Sequence, residues 1–147
     1  MLNGAGVRTK WGFKIYVGGL YLPGKQNDAD SVINADEPMA VKLCFVSGLV
    51  TSEKLEASIR DGFTKTTKGN APVLEKRIDA FITVFTEKVN KGDIYDLIYV
   101  PGHGTEVFRN GNLLSTTKGL DFKKALFGIW LGNEPAHKNL KKCMLGI

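Results

Sequence analysis

Arg8 fits its surroundings least of any residue in this chain. It closes the stretch Leu2-Asn-Gly-Ala-Gly-Val-Arg8, among small and apolar neighbours where a solvated surface arginine is not expected. The block that follows, Phe13-Lys-Ile-Tyr-Val-Gly-Gly-Leu-Tyr-Leu-Pro23, is rich in β-branched and aromatic residues. Both stretches read as strands joined by a short turn near Gly12. A hairpin centred on Gly12 sets Arg8 directly opposite Tyr16, so both side chains point to one face. Tyr21 has the opposite strand parity and faces away. A guanidinium beside a phenol on one face of a sheet is a receptor for a carboxylate or another anionic oxygen. The plainer alternative is a structural arginine bonded to a neighbouring carboxylate or carbonyl, with Tyr16 filling the core.

The other chemistry-bearing residues organise less. His103 lies in a glycine-flanked turn and His137 in the first turn of a helix, and no Gly-x-Ser-x-Gly or comparable arrangement gives either a nucleophile to serve. The acids Glu53, Glu56, Glu75, Glu87 and Asp121 fall at capping or exposed helix positions, with no pair suited to acid–base work. Gly4, Gly6, Gly18 and Gly19 form no phosphate loop, because no Gly-x-Gly-x-x-Gly opens a helix. Glycines so placed in strands let another backbone or a bulky ligand approach. Cys44 and Cys143 are far apart and flank no histidine at ligand spacing, so no metal site is expected; a single disulfide is open to them, with two buried free thiols the better default, and no cofactor is expected.

These residues need elements to position them. Asp28 or Asp30 caps a short helical turn around Ser31–Asn34, and Met39, Val41, Leu43 and Phe45 alternate as a half-buried strand. Thr51 caps a helix whose Leu55, Ile59 and Phe63 recur every fourth residue. Lys68-Gly-Asn70 breaks it, and Pro72 suits the first turn of the next helix, which carries Leu74, Ile78, Phe81, Ile82 and Phe85. Strands follow over Ile94–Val100, Thr105–Arg109 and Asn112–Thr117, the last two joined by Asn110-Gly111, the strongest short hairpin signal. Asp121 caps a helix with Phe122, Ala125, Leu126, Ile129 and Trp130 on one side. Gly132 stops it, Pro135 starts another, and Leu140, Cys143 and Met144 face inward.

The order is α+β: a large antiparallel sheet with helices on one face, forming a single domain over residues 1–147. The Phe122–Trp130 stripe is of a kind more often core than pocket, but over a sheet with an inward arginine it would wall a mostly apolar cavity with one polar anchor. No stretch is long and apolar enough to form a transmembrane helix. The net charge of +5 is spread along the chain rather than clustered with aromatics, which argues against nucleic acid as a partner. Its densest group, Lys138, Lys141 and Lys142, reads as a solvated helix face.

Three blocks carry a resemblance. They are the opening stretch with Lys14–Leu22, then Val50-Thr-Ser-Glu-Lys-Leu55 with Asp61-Gly-Phe63, then Asp121-Phe-Lys-Lys-Ala-Leu-Phe-Gly-Ile-Trp-Leu-Gly132. In this order they resemble chalcone isomerase-like proteins, in particular the bacterial branch. The resemblance implies an open-faced β-sandwich with a ligand cleft between sheet and helices. It also implies an N-terminal strand or two, or a signal segment, ahead of this chain, and hence a periplasmic or secreted protein if a signal was removed and a cytoplasmic one otherwise. Plant isomerases use an arginine at the position of Arg8 to hold a phenolate while a chalcone cyclises, and fatty-acid-binding members use an arginine and a tyrosine to hold a carboxylate. Where the isomerases place threonine this chain has Tyr16, and where they place Ser or Thr on the late helix it has Ile129. The implied function is therefore non-catalytic binding of a small hydrophobic anionic ligand, fatty-acid-like, at Arg8, Tyr16, Ile129 and Trp130. The alternative is an intramolecular lyase of the chalcone isomerase type, with Arg8 stabilising the phenolate.

Overall fold

Residues 10–13 set the starting register of the first hairpin. Trp11 (φ 54°) and Gly12 (φ 81°) both adopt left-handed backbone, which a two-residue loop needs to match the twist of its strands. Glycine takes this conformation freely. Trp11 does not, and its ring lies 5.1 Å from the Lys10 ammonium and 5.3 Å from that of Lys54. The turn is thus centred between Trp11 and Gly12 rather than on Gly12, with Lys10 opposite Phe13 and Thr9 opposite Lys14. A bulge at Ile15 then adds one residue to the second strand, and Arg8 comes to face Tyr16 after all.

The computed structural model describes residues 1–68 and 72–147. Six strands, β1 (Leu2–Lys10), β2 (Phe13–Tyr21), β3 (Met39–Phe45), β4 (Ile94–Val100), β5 (Gly104–Arg109) and β6 (Asn112–Thr117), form one antiparallel sheet in chain order. Five helices accompany it: α1 (Ala29–Asn34), α2 (Ser52–Thr67), α3 (Glu75–Ile82), α4 (Leu120–Leu131) and α5 (Lys138–Leu145). In β3 the buried residues Met39, Val41, Leu43 and Phe45 alternate with half-buried Ala40, Lys42 and Cys44, so the helices cover one face and leave the other open. On the open face Lys42 pairs with Asp96 at 3.7 Å. The fold is the expected α+β open-faced sandwich.

Helix α4 is the centre of the helical layer. Its apolar residues are not confined to one side: every residue from Phe122 to Leu131 except Lys124 is buried, because α1 and α2 pack on α4 from above while the sheet lies below. Helix α5 lies on β1, where a Cβ on Gly4 would stand 2.0 Å from the carbonyl oxygen of Cys143 and one on Gly6 would stand 2.6 Å from the Cys143 Cβ. The glycines admit a second backbone, as their places in the strand suggest.

Several local expectations give way. Asp121 is not the cap of α4; Gly119 is, and Asp121 sits in the first turn, where its carboxylate grips Arg77 through two bonds of 2.8 and 2.9 Å. Helix α3 begins at Glu75, leaving Pro72 in the preceding turn. Helix α5 begins at Lys138 rather than Pro135, because His137 Nδ1 accepts the Leu140 N–H and fixes the cap there. Both cysteines are free but only half-buried. Of the three lysines on α5, Lys141 turns back to donate to the Gly132 carbonyl at 2.8 Å. The break expected at Lys68-Gly-Asn70 is seen at Lys68, whose left-handed φ of 55° ends α2; Gly69 and Asn70 lie outside the described residues.

Candidate ligand-binding site

The register of β1 and β2 brings Arg8 and Tyr16 under the helices, where they are 7% and 2% exposed. Arg8 Nη1 donates to Tyr16 Oη at 3.2 Å, and Nη2 donates to Ser58 Oγ on α2 at 3.0 Å. From α4, Trp130 Nε1 donates to the same Tyr16 oxygen at 2.9 Å. A phenol oxygen offers two lone pairs and one proton. Both lone pairs are engaged by N–H donors, so Tyr16 is left with a proton to give. The Arg8 Nε–H is buried and has no acceptor, and no carboxylate pairs with the guanidinium among the described residues. The group is thus a buried cation surrounded only by neutral oxygens, with surplus N–H and O–H donors.

Beside it is a small apolar cavity of about 30 Å³, room for about one water. The sheet contributes Leu43, Phe45 and Leu97, α2 contributes Leu55 and Ile59, and α4 contributes Leu126 and Ile129, with Phe81 and Phe85 closing the far side. Arg8, Tyr16, Ile129 and Trp130 all line this one space. A wider cleft of about 330 Å³ opens between α2 and α3, but its guanidinium, Arg60, is already paired with Asp79 at 2.8 Å. That cleft offers an anion less than the smaller cavity does.

Ser58 is the member of the site that sequence reasoning missed. Its signal was present: Leu55, Ser58, Ile59, Gly62 and Phe63 share one helical stripe, and a hydroxyl on an apolar stripe asks for a partner. Lys123 was missed as well. It is fully buried, and its ammonium donates to the carbonyls of Val32, Ile33 and Ala35 at 2.7, 2.8 and 2.8 Å. It thereby satisfies the carbonyls at the end of α1. Burial pushes its pKa down to about 8, Lys124 adds to the shift, and Asp36 and Glu37 oppose it. Nearby, burial together with the hydrogen bond to Asp36 pushes the Tyr99 phenol up to about 12. These groups join α1 to α4 and β4, away from the Arg8 cavity.

The Asp93 carboxylate is paired within its own cluster. Burial works against the Asp93 carboxylate, yet bonds from the Asn90 N–H, Asn110 and Arg109 hold it below the usual carboxylate range. His137 accepts at Nδ1, so its neutral ring carries the proton on Nε2, 3.3 Å from the Thr9 hydroxyl. His103 lies 3.4 Å from Glu106 in the exposed turn before β5. Neither histidine is a hydrogen-bond partner of Arg8.

No curated protein matches the sequence. Among solved structures, a fatty-acid binding protein from Arabidopsis thaliana superposes with a TM-score of 0.79 at 21% identity, covering 98% of this chain and 85% of that one. That likeness shows a shared fold. The model of a family described as chalcone isomerase-like matches residues 1–146, and the chain belongs to the chalcone isomerase-like family.

Proposed function

We propose that the protein binds a small hydrophobic carboxylate without transforming it, and that Arg8 anchors the carboxylate. One observation carries this reading: a buried guanidinium that has an unpaired Nε–H and no counter-ion among the described residues. Neutral partners only about balance the desolvation of this cation, and a ligand carboxylate adds a charged acceptor for Arg8 while Tyr16 and Ser58 supply O–H donors. The apolar walls suit an acyl or ring portion. The Arabidopsis protein of the same fold binds fatty acid by its name, which supports the choice of ligand class. At about 30 Å³ the cavity is far below the several hundred Å³ of ordinary ligand pockets, so the apolar portion enters as Ile59 and Leu55 of α2 move away from Ile129 of α4. Export to the periplasm, implied by the resemblance to bacterial members, is part of the same proposal and is read by fractionating cells expressing the full gene.

The test is solvent extraction of the purified protein with mass spectrometry of the extract, run on native protein and Arg8→Ala in parallel. An acyl or aromatic carboxylic acid present in the native extract and missing from the folded variant is the expected result. If both extracts are empty, a fatty-acid titration follows, read by the emission of Trp130 in a Trp11→Phe background, since these are the chain's two tryptophans. A flat titration overturns the reading. Chalcone turnover in the same preparations would favour the lyase alternative instead.

A further inference from the structure

The end of the sheet that carries the β1–β2 turn has an unusual surface. Trp11 is 38% exposed, and Val46 and Leu49 in the loop from β3 to α2 are 38% and 73% exposed. The two loops are neighbours: Val46 N–H donates to the Ile15 carbonyl at 3.0 Å, Trp11 packs beside Phe13, and Lys54 at the start of α2 reaches over the Trp11 ring. The turn before β4 adjoins them, with Gly92 N–H donating to the Phe45 carbonyl at 2.8 Å. Lys10 and Lys54 lie over the Trp11 ring, Lys14 follows the turn opposite Thr9, and Lys91 lies beside Gly48 in the loop that carries Leu49. Of the acids at this end, Glu87 and Asp93 pair with Arg109, and Asp61, which faces Lys10, pairs with Lys65 at 3.3 Å, leaving Glu53 and Glu56 on α2.

We propose that this end of the molecule docks on a bilayer surface bearing anionic headgroups. Trp11 and Leu49 enter the interfacial layer, and the four lysines meet the phosphates. An aromatic and a large aliphatic side chain at loop tips inside a lysine ring is the chemistry of an interfacial anchor. A single-stranded nucleic acid would want aromatics spaced along a basic groove, whereas here the apolar group is central and the lysines surround it. A second copy meeting the same patch across a two-fold axis would bring lysine against lysine. A bilayer surface with anionic headgroups satisfies both the apolar centre and the basic rim.

The experiment uses the whole chain and two vesicle preparations, phosphatidylcholine alone and phosphatidylcholine with one third phosphatidylglycerol, neither containing free fatty acid. The outcome is therefore independent of the carboxylate reading. Native protein is expected to sediment with the anionic vesicles, to stay in solution with the neutral ones, and to be released by salt. Trp11→Ser with Leu49→Ser, and separately Lys10→Glu with Lys14→Glu, are each expected to lower partitioning by about tenfold or more. Lys25→Glu with Lys142→Glu makes the same change in net charge at the opposite end of β1, where Lys25 reaches the Leu2 and Asn3 carbonyls and α5 ends beside Asn3, and is expected to leave partitioning within about twofold. Failure of native protein to bind anionic vesicles at low salt overturns the proposal, as does an equal loss in the Lys25→Glu, Lys142→Glu variant. A native dimer that the Trp11→Ser, Leu49→Ser variant turns into a monomer, with no vesicle binding by either, would assign the patch to self-association instead.

Discussion

Replacing Arg8 by methionine separates an arginine that waits for a ligand from one that holds the sheet to the helices. Taking a guanidinium out of water costs several kcal/mol after relaxation. Against that stand two charge-assisted hydrogen bonds, at 3.2 and 3.0 Å, each worth about 1.5–3 kcal/mol. The face of Tyr16, 5.6 Å from the guanidinium carbon, adds about 0.5–1 kcal/mol. The gains and the cost nearly cancel. Methionine keeps much of the apolar stem's packing and removes the unpaired Nε–H. The stability of ligand-free protein is therefore expected to change by no more than about 1.5 kcal/mol, a shift in Tm within about 5 °C for a chain of this size. An arginine neutralised by an internal carboxylate behaves differently, since breaking such a buried pair costs about 3–5 kcal/mol.

Ligand binding responds in the opposite way. Losing the charged partner of a bound carboxylate costs about 2–5 kcal/mol, a fall in affinity of roughly 30-fold to several thousandfold. The assay is urea unfolding of delipidated native and Arg8→Met protein, followed by fatty-acid titration of each. Delipidation matters because a retained ligand stabilises only the native protein by mass action and would imitate a structural role for Arg8. A loss above about 3 kcal/mol in the ligand-free variant, or an unchanged affinity, would refute the reasoning.

Other parts of the molecule give sharp expectations. Lys123→Met leaves the carbonyls of Val32, Ile33 and Ala35 without their donor and should cost about 3–5 kcal/mol at neutral pH by urea unfolding. The native amine has a pKa of about 8 when folded against 10.5 unfolded, so between these values the unfolded chain holds the extra proton. Native stability relative to Lys123→Met should therefore rise as pH climbs through that window, and a flat difference would show that the ammonium keeps its proton on the three carbonyls. Bonds from Arg77 hold the Asp121 carboxyl below its usual range, and Asp93 is held low despite its burial. Their stabilisation is present above the unfolded value of 3.8 and lost as pH falls below it, and Arg77→Ala should flatten part of that acid limb followed by circular dichroism. Gly4→Ala sets a methyl 2.0 Å from the Cys143 carbonyl oxygen and should cost about 2–4 kcal/mol, with faster amide exchange confined to α5 and β1.

The parts of this fold that were legible in the sequence are those decided within one element. Alternation in Met39–Phe45, the Asn110-Gly111 turn and the Thr51 cap each state their structure in a few residues. Helix starts at Pro72 and Pro135 were misplaced because proline tolerance is permissive, whereas the His137 side chain that caps α5 is a specific bond. The breadth of α4's burial depends on what packs around it, which no periodicity within twelve residues contains. The candidate site divides along the same line. Arg8 announced itself through poor fit with its own strand, while Ser58 and Lys123 are satisfied by atoms 50 and about 90 residues away. Even the Arg8–Tyr16 pairing follows from two offsetting features, a turn centred half a residue early and a bulge at Ile15 that restores the count. Without the bulge the pairing partner of Arg8 would be Ile15, and the phenol of Tyr16 would pass to the open face of the sheet. The Ile15 bulge is therefore as much a part of the site as the side chains that line it, because it alone brings the phenol beside the guanidinium beneath α2 and α4.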